Sequence, residues 1–409
     1  MRFFQVKSVE ETFALINEMV EPLTEKMTLS LPEALHYVLA GDVYVRENVP
    51  PFRRSTVDGY AVKARDSFGA SESLPGFLTV VGEVKMGQAP DRALKSGEAM
   101  YVPTGGMLPE GSDAVIMIEH CEDMDGLLNV YRQAAPGENV ISVGEDLKEG
   151  TILLPKGTRL RPQELAALAS QGITEVPVYR KPVVGYLSTG DEIVPAEKEH
   201  LQIGEIRDMN AAAIGGLVKE WGLEFRYGDI VKDKREEFEE KARAMLQQTD
   251  CLVISGGSSV GTKDYSVEVI DSLGSPGVFV HGVSVKPGKP TILSMAGKKP
   301  VIGLPGHPAS AMIIFNLFGK AVLDRLQSLE PDRARTVMAA VTKNVPSSAG
   351  RTDYVRVRLF EENGQLYAEP IFGKSGLIST LVKSDGILEV PEQSEGILKG
   401  ATVPIILFG

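Results

Sequence analysis

The segment 250–264 constrains the fold most, because it combines an apolar run, a glycine- and serine-rich loop and the start of a helix. The run 251–254 is short and apolar, which predicts a buried strand. Three glycines then interrupt the run, and Asp264 can cap the helix that follows. In this arrangement free backbone N–H groups point at an anion, and glycines let the backbone approach it closely.

The segment therefore predicts a site for phosphate or a similar oxyanion, with a plain turn between strand and helix as the alternative. The loop residues expected at the ligand are Gly256, Gly257, Ser258, Ser259 and Gly261. The loop is not a Walker A motif, because Thr262-Lys263-Asp264 stands where Gly-Lys-Ser/Thr would be needed. The motif thus names a class of ligand but no reaction.

Composition limits the remaining possibilities. A chain of 409 residues is too long for one core, so about two to four domains are expected. No run approaches the roughly 20 apolar residues of a membrane span, and the first residues lack a signal-peptide core. Cys121 and Cys251 have neither metal-ligand nor disulfide spacing, which predicts reduced thiols in a cytoplasmic protein. The net charge of −12 argues against nucleic acid or anionic membrane as partner, so an anionic ligand needs a local cationic pocket.

The first part of the chain has mostly β-type patterns. A capping box at Ser8-x-x-Glu11 predicts an N-terminal helix, and further short helices are expected at 32–39 and 164–171. Short apolar runs separated by Gly and Pro between 78 and 130 predict an all-β module. Two turns of this part of the chain carry polar groups, Asp58 before Gly59 ahead of the module and Thr104 before two glycines within it, and an ordinary turn is the alternative for each.

From residue 183 onwards strands alternate with helices, which predicts a parallel sheet with right-handed crossovers. The expected strands are 183–187, 225–231, 251–254, 278–280 and 301–304, and the expected helices are 211–221, 234–247 and 308–326. Ligands of such sheets lie beyond the carboxyl ends of the strands. The loops expected there carry Glu192, Asp233, the glycine- and serine-rich loop, Lys286 with Lys289, and Pro305-Gly306-His307.

After residue 331 the pattern again predicts β-structure, in runs at 336–342, 354–360, 366–370, 386–390 and 402–408. Arg351 and Ser375 belong to the polar signature of this terminal β-domain. Arg356 and Arg358 would share one face of a strand, and a solvated face is an equal alternative to a binding role.

The α/β segment brings two opposing kinds of charge together. Lysines and the loop suit a polyanion, whereas Glu192, Asp233 and Asp264 would repel it. Mg²⁺ reconciles them, because it binds one or two carboxylates together with substrate phosphates; helix caps and solvated lysines are the ordinary alternatives. The sequence has no Cys/His cluster, which argues against a zinc site. Its serines have no His partner in a recognisable motif, which argues against a serine hydrolase triad. The residues alone predict a Mg²⁺-dependent enzyme acting on a phosphate- or nucleotide-bearing ligand.

Six ordered motifs extend this prediction. They are Pro-Pro-Phe with Ser-Thr-Val-Asp-Gly-Tyr at 50–60, Pro-Thr-Gly at 103–105 with 109–114, Ser-Thr-Gly-Asp-Glu at 188–192, the loop at 255–265, Lys-Pro-Gly-Lys-Pro at 286–290 and Gly-Leu-Pro-Gly-His-Pro at 303–308. With these motifs the chain closely resembles the molybdopterin molybdenumtransferase family, which includes the C-terminal part of gephyrin, over essentially its whole length. This chain departs from the family at three places, because the family usually has Asn at the position of His307, an aliphatic residue at Ser258 and Glu-Ala at Thr262-Lys263. A His can donate a hydrogen bond as Asn does, so we expect substrate binding to be retained at His307.

The resemblance implies a multidomain α/β plus β fold. A three-layer, parallel-sheet α/β molybdopterin-binding domain (7–26 and 178–329) would be joined to an N-terminal or linker domain (27–45 and 140–177), a β-rich module (46–139) and a C-terminal β-barrel-like domain (330–409). It implies insertion of molybdate into adenylylated molybdopterin with Mg²⁺ and release of AMP, in a homodimer whose β-module completes the partner's site. The molybdopterin adenylyltransferase and acceptor molybdoenzymes are the protein partners it suggests.

Roles carried over from the resemblance fall into two groups. Asp58, Thr104, Glu192, Asp233 and Asp264 would be catalytic, the last three also as metal ligands. Substrate would contact the loop glycines and serines together with Lys286, Lys289, Pro305, Gly306, His307, Arg351 and Ser375. A molybdopterin adenylyltransferase and a non-catalytic pterin-binding scaffold are the alternative functions, and the preference for molybdate over tungstate stays open.

Overall fold

A mixed six-stranded sheet forms the centre of the molecule, in a computed structural model that describes residues 6–232, 234–256, 266–329 and 335–408. Its strands, in spatial order, are Glu224–Val231, Val183–Thr189, Cys251–Ser255, Lys299–Leu304, Ile292–Ala296 and Pro276–His281. The first four are parallel to one another. Ile292–Ala296 is antiparallel to both of its neighbours, so Pro276–His281 runs in the same direction as the first four.

Helices cover both faces of this sheet and make three layers. One face packs against Val9–Met19, Met209–Glu220 and the run that begins with Pro308–Ile314, through buried residues such as Ile16, Ile214 and Phe315. The other face packs against Arg235–Gln248 and Ser266–Ser272, through residues such as Phe238 and Ile270. Burial of these apolar faces is the main stabilising term, at about 25 cal/mol per Å² removed from water.

The expected strands of the α/β region all occur. Three details of the prediction are wrong, two in the α/β region and one in the N-terminal unit. Ile292–Ala296 is a strand that the sequence pattern did not indicate. The helix expected over 308–326 contains a π-helical turn, Phe315–Gly319, between Pro308–Ile314 and Lys320–Leu326. The helix expected over 32–39 is absent, because 31–36 forms turns and His36, with φ of 65°, donates its N–H to the carbonyl of Leu160.

The β-rich module contains a second six-stranded sheet. Its order is Ala114–Met117, Gly59–Val62, Glu98–Val102, Gly76–Glu83, Leu127–Val130 and Cys121–Met124. A separate small unit combines Lys26–Ser30, Glu175–Tyr179 and Val38–Leu39 with the helix Pro162–Ser170. Pairs of short strands join these units, and they are Arg54–Ser55 with Val140–Ile141 and Val43–Tyr44 with Ile152–Leu154.

The C-terminal region is a closed five-stranded barrel. Its strands are Thr336–Val341, Thr352–Glu362, Gln365–Pro370, Gly386–Val390 and Thr402–Leu407, and closure comes from the pairing of the second with the fourth. Val285–Lys286 of the α/β region pairs with the barrel strand Thr352–Glu362, which ties the two units together. Arg356 is buried within the barrel while Arg358 is exposed, so the solvated alternative holds only for Arg358.

The remaining elements are short. They are the helices Ala64–Ser67, Ile118–His120 and Ser379–Val382 and the strands Ile193–Val194, Ile206–Arg207, Val345–Pro346 and Gly396–Ile397. Within the described residues, no helix has both the length and the apolar character needed to cross a membrane.

An ion pair fastens the small N-terminal unit to the central sheet. Arg180 donates to both carboxylate oxygens of Asp250 at 2.7 and 2.8 Å, and the same carboxylate accepts from the N–H of Val183 at 2.8 Å. Removing one member leaves the other charge partly buried without its partner.

We expect Arg180→Ala to lower the free energy of unfolding by about 2–3 kcal/mol, measured by urea denaturation. Lys298→Ala, which removes an exposed pair with Glu21, is the control and should leave the unfolding midpoint unchanged.

The pH dependence of this difference follows from Asp250. Burial alone would raise the pKa of its carboxyl, but hydrogen bonds from Arg180 and Val183 hold the pKa below the ordinary value. Since the folded pKa lies below the unfolded one, the stabilisation is complete above about pH 4 and disappears as the pH falls through the folded pKa. The difference between wild type and Arg180→Ala should therefore be constant at neutral pH and shrink below about pH 4. A difference that persists unchanged at pH 2 would contradict this account.

Candidate functional site

Two adjoining cavities lie beyond the carboxyl ends of the parallel strands. The smaller, of about 560 Å³, is bounded by the ends of the strands Val183–Thr189 and Cys251–Ser255 and by residues 305–308. The larger, of about 950 Å³, lies between residues 284–290 and the barrel. Pro290, Pro305 and His307 line both cavities, so the two share a wall.

Gly256 brings the backbone into close contact at the floor of the smaller cavity. Its φ of +111° is a conformation that side chains rarely adopt, and a Cβ there would overlap the carbonyl oxygen of Thr189. Only glycine therefore allows the strand Cys251–Ser255 to pass Thr189 at this distance.

The larger cavity is electropositive although the chain as a whole is acidic. Asp353 is the only carboxylate among the described residues that line it, and the basic side chains there are Lys286, Lys289, Arg351, Arg356 and Lys374. The buried carboxylate of Asp353 accepts from Nε of Arg351 at 2.8 Å and lies 3.7 Å from Nζ of Lys286. One negative charge thus orders two cations, and the net positive charge of the lining suits an oxyanion.

Arg356 adds a buried cation to this wall. It donates to Oγ1 of Thr380 at 2.7 Å and to the carbonyl of Gly373 at 2.9 Å, and burial lowers its pKa.

Gly288 positions another part of the cavity wall, since a Cβ there would overlap the side chain of Ile314. The Lys-Pro-Gly-Lys-Pro segment is therefore packed directly against the helix Pro308–Ile314.

His307 connects the two units that form the site. Its Nδ1 lies 2.9 Å from Oγ of Ser375, and the backbone carbonyl of Ser375 accepts from the N–H of Ala309 at 3.2 Å. His307 precedes the helix Pro308–Ile314 but its side chain does not cap it. The imidazole instead contacts Ser375 and so links the α/β region to the C-terminal unit.

A polar network in the wall of the smaller cavity was not predicted from the sequence. Oδ2 of Asp208 accepts from Oγ of Ser188 at 2.7 Å and from the hydroxyl of Tyr227 at 3.2 Å, and its Oδ1 accepts from the N–H of Ala211. Nδ2 of Asn210 donates to Oγ of Ser255 and to the carbonyl of Gly306, both at 2.8 Å. Asp208 caps the helix Met209–Glu220, and that cap pattern was the one local signal in the sequence that could have identified it.

Asp58 and Thr104 lie together in the β-rich module, away from both cavities. Oδ1 of Asp58 accepts from the N–H of Thr104 at 2.8 Å, and both residues are exposed. Neither lines either cavity in the described part of one chain. These two residues form a separate polar pair on the module surface.

Comparisons with known proteins match the chain along almost its full length. Residues 7–172 match the MoeA N-terminal region (domain I and II), 185–325 a probable molybdopterin binding domain, and 338–408 the MoeA C-terminal region (domain IV). A putative molybdopterin biosynthesis protein of Methanocaldococcus jannaschii is 35% identical over 98% of each chain. The chain belongs to the MoeA family. This confirms the resemblance recognised in the sequence motifs.

Other MoeA-family relatives agree in sequence and in structure. A molybdopterin molybdenumtransferase of Bacillus subtilis is 31% identical, over 93% of this chain and 89% of the relative. The crystal structure of the molybdopterin biosynthesis moeA protein from Pyrococcus horikoshii OT3 superposes with a TM-score of 0.85, at 33% identity, over 99% of this chain and 100% of that one. The multidomain α/β plus β fold class is thereby confirmed.

In this MoeA-family chain the residues predicted for the site fall into three groups. Those that line the cavities are Glu192, Gly256 and Gly306 in the smaller, Lys286, Lys289, Arg351 and Ser375 in the larger, and Pro305 and His307 in both. Asp58 and Thr104 lie elsewhere, as described. Asp233, Gly257, Ser258, Ser259, Gly261 and Asp264 lie outside the described residues.

The predicted metal ligands are divided in the same way. Glu192 is exposed on the smaller cavity, and its carboxylate folds over Gly190, where a Cβ would lie 2.7 Å from Oε2. A carboxylate is the kind of donor that Mg²⁺ takes. No cluster of three or more His, Cys, Asp or Glu suited to a metal occurs in the described ranges, which omit Asp233 and Asp264.

Proposed function

We propose that this chain is a molybdopterin molybdenumtransferase, which inserts molybdate into adenylylated molybdopterin with release of AMP and so forms the molybdenum cofactor. The observation that carries the proposal is the pair of cavities that share His307, one at the sheet edge and lined by polar as well as apolar side chains, the other electropositive. A substrate with heterocyclic rings and phosphates can span the two, and a second oxyanion can bind beside it. Relatives from Bacillus subtilis and Haemophilus influenzae that match over most of their length are molybdopterin molybdenumtransferases, which supports this activity.

The chain's own residues would divide the work between recognition and charge. Lys286 and Arg351, ordered by Asp353, would bind molybdate or the pterin phosphate. Glu192, with Asp233 and Asp264, would hold Mg²⁺, which supplies positive charge against the phosphate oxygens of the adenylylated substrate. His307 and Ser375 would keep the barrel against the α/β region while both substrates are bound.

We further propose a homodimer in which Asp58 and Thr104 of one subunit complete the site of the other. Neither residue lines a cavity in the described part of its own chain, which supports this arrangement because catalytic groups must reach the reacting atoms. Asp58 would then assist cleavage of the phosphoanhydride. The proposed location is the cytoplasm, which keeps the free thiols of Cys121 and Cys251 reduced. The molybdopterin adenylyltransferase and acceptor molybdoenzymes are the proposed partners.

The deciding experiment supplies the purified chain with adenylylated molybdopterin, Mg²⁺ and molybdate. It measures released AMP and the reconstitution of an apo-molybdoenzyme. Release of AMP that depends on molybdate, followed by reconstitution, is the expected result. Tight binding without AMP release would instead indicate a scaffold, and formation of adenylylated molybdopterin from ATP would indicate an adenylyltransferase. Omitting Mg²⁺ should abolish AMP release, which tests the metal separately.

Lys286→Ala tests the electropositive cavity. The change removes one of the two cations ordered by Asp353, and a charge-assisted hydrogen bond is worth about 1.5–3 kcal/mol. We expect KM for molybdate to rise about tenfold or more, with a smaller salt dependence, in steady-state assays of AMP release. Lys343→Ala is a matched control, because Lys343 is an exposed lysine of the barrel that pairs with Glu369 outside the cavity. Equal effects of the two substitutions would remove Lys286 from the site.

A further inference from the structure

Two residues that line the smaller cavity each carry a buried polar atom without a hydrogen-bond partner among the described residues. The atoms are Oγ1 of Thr189 and Oδ1 of Asn210, whose residues are 3% and 8% exposed. A buried polar atom without a partner is costly. The other atoms of this kind, on Asn129, Gln171, Ser294 and Ser347, line neither cavity. Two unsatisfied atoms on residues of one cavity wall point to a ligand that satisfies both.

The orientation of the Asn210 amide is determined by its neighbours. Nδ2 lies 2.8 Å from the carbonyl oxygen of Gly306, which can only accept a hydrogen bond. The nitrogen must therefore face Gly306, and it also donates to Oγ of Ser255. The free atom is then the carbonyl oxygen Oδ1, an acceptor that requires an N–H or O–H donor and repels the oxygen atoms of an anion.

The neighbouring Asp208 shows the opposite situation. It lines the same cavity, but both of its carboxylate oxygens already accept hydrogen bonds, from Ser188, Tyr227 and the N–H of Ala211. Asp208 is thus a positioning residue for the helix Met209–Glu220. Among the described residues that line this cavity, the unsatisfied side-chain atoms belong to Thr189 and Asn210.

We propose that Oδ1 of Asn210 and Oγ1 of Thr189 determine specificity by binding the N–H-bearing edge of an amino-substituted nitrogen heterocycle. The proposal rests on the proposed function, whose substrate carries two such rings, adenine and the pterin. A volume of about 560 Å³ lies in the usual range for small-molecule sites. An acceptor at Asn210 directs the ring to the smaller cavity and leaves phosphate and molybdate to the electropositive one.

Thr189→Val tests the hydroxyl with little change of shape. Because it removes an unsatisfied polar atom from a strand that favours β-branched residues, stability should be unchanged or raised. Affinity for the heterocycle should nevertheless fall about tenfold, measured by calorimetry, and Thr189→Ser should restore it. Ser294→Ala removes a similarly buried, unsatisfied hydroxyl away from the cavities and should leave affinity unchanged.

Paired ligands test Asn210 and identify the ring. AMP is compared with purine riboside 5′-monophosphate, which lacks the amino group, and pterin with lumazine, in which an oxygen replaces it. We expect the wild type to prefer the amino compound of one pair about tenfold or more, and that pair identifies the ring. Thr189→Val should reduce this preference. Equal binding within both pairs, or an unchanged affinity in Thr189→Val, would overturn the proposal, whereas molybdate-dependent AMP release by the wild type tests the proposed function separately.

Discussion

Asp58→Asn is expected to slow AMP release about 100-fold or more while the protein keeps its stability. The substitution preserves shape, and the amide oxygen can still accept from the N–H of Thr104 as Oδ1 of Asp58 does at 2.8 Å. What it removes is the negative charge and the capacity to take up a proton. Single-turnover assays with the adenylylated substrate, together with thermal unfolding, separate the chemical effect from a folding defect.

Asp123→Asn is the matched control for this change. Asp123 is an exposed carboxylate on the same β-rich module that accepts from the N–H of Gly126 at 2.8 Å. Its substitution should leave turnover unchanged. An Asp58→Asn variant with wild-type turnover and wild-type stability would exclude Asp58 from the mechanism.

Mixed dimers then show in which subunit Asp58 acts. Asp58→Asn and Glu192→Gln subunits should each be inactive alone. If Asp58 completes the partner's cavity, a heterodimer of the two has one intact site and about half of the wild-type activity. If Asp58 acts within its own chain, both sites of the heterodimer carry a defect and activity stays absent. Restored activity in differently tagged, purified heterodimers would therefore establish the arrangement across subunits.

Much of the α/β region could be predicted because its signals are local. The run at 251–254 corresponds to the strand Cys251–Ser255, and the capping box at Ser8 and Glu11 starts the helix Val9–Met19. Buried strands of a parallel sheet are continuous apolar runs, which need no knowledge of their neighbours to be recognised. Topology alone predicted a ligand site at the sheet edge beside which the two cavities lie.

The errors arose where pairing with distant residues determines the structure. Ile292–Ala296 is identified as a strand by its antiparallel partners, since Ser294 and Ala296 weaken its β-propensity. The segment 31–36 lacks a helix because His36 bonds to Leu160, which no pattern within the segment indicates. Tertiary contacts override local propensity in both cases.

The candidate site shows the same division. Its motif loops were recognisable, but Asn210 was not, because its significance lies in a bond to Gly306, 96 positions away in the chain. Thr189 follows the same rule, because neither its unsatisfied hydroxyl nor the close approach of Gly256 can be recognised in the local sequence. Sequence patterns predict where a ligand binds, whereas the atoms left free to recognise it depend on the assembled fold.

Gly256→Ala is expected to destabilise the protein by about 2–4 kcal/mol and to abolish substrate binding. The methyl group would overlap the carbonyl oxygen of Thr189 and lie 2.8 Å from its Oγ1, and the φ of +111° is strained for alanine. Both strands are central in the sheet, so neither can move away easily. Urea denaturation gives the free energy of unfolding, and calorimetry with the adenylylated substrate gives binding.

Gly306→Ala separates strain from the mere addition of a methyl group in the same cavity. A Cβ at Gly306 would lie 3.8 Å from Cα of Gly256, which is ordinary van der Waals contact, and no left-handed φ is involved. It should therefore change the free energy of unfolding by less than about 1 kcal/mol. A loss of less than about 1 kcal/mol for both substitutions would mean that the cavity wall moves to accommodate the methyl group at Gly256. A large difference would mean that the crossing of Gly256 over Thr189 is rigid, so that Thr189 is held in place before substrate arrives.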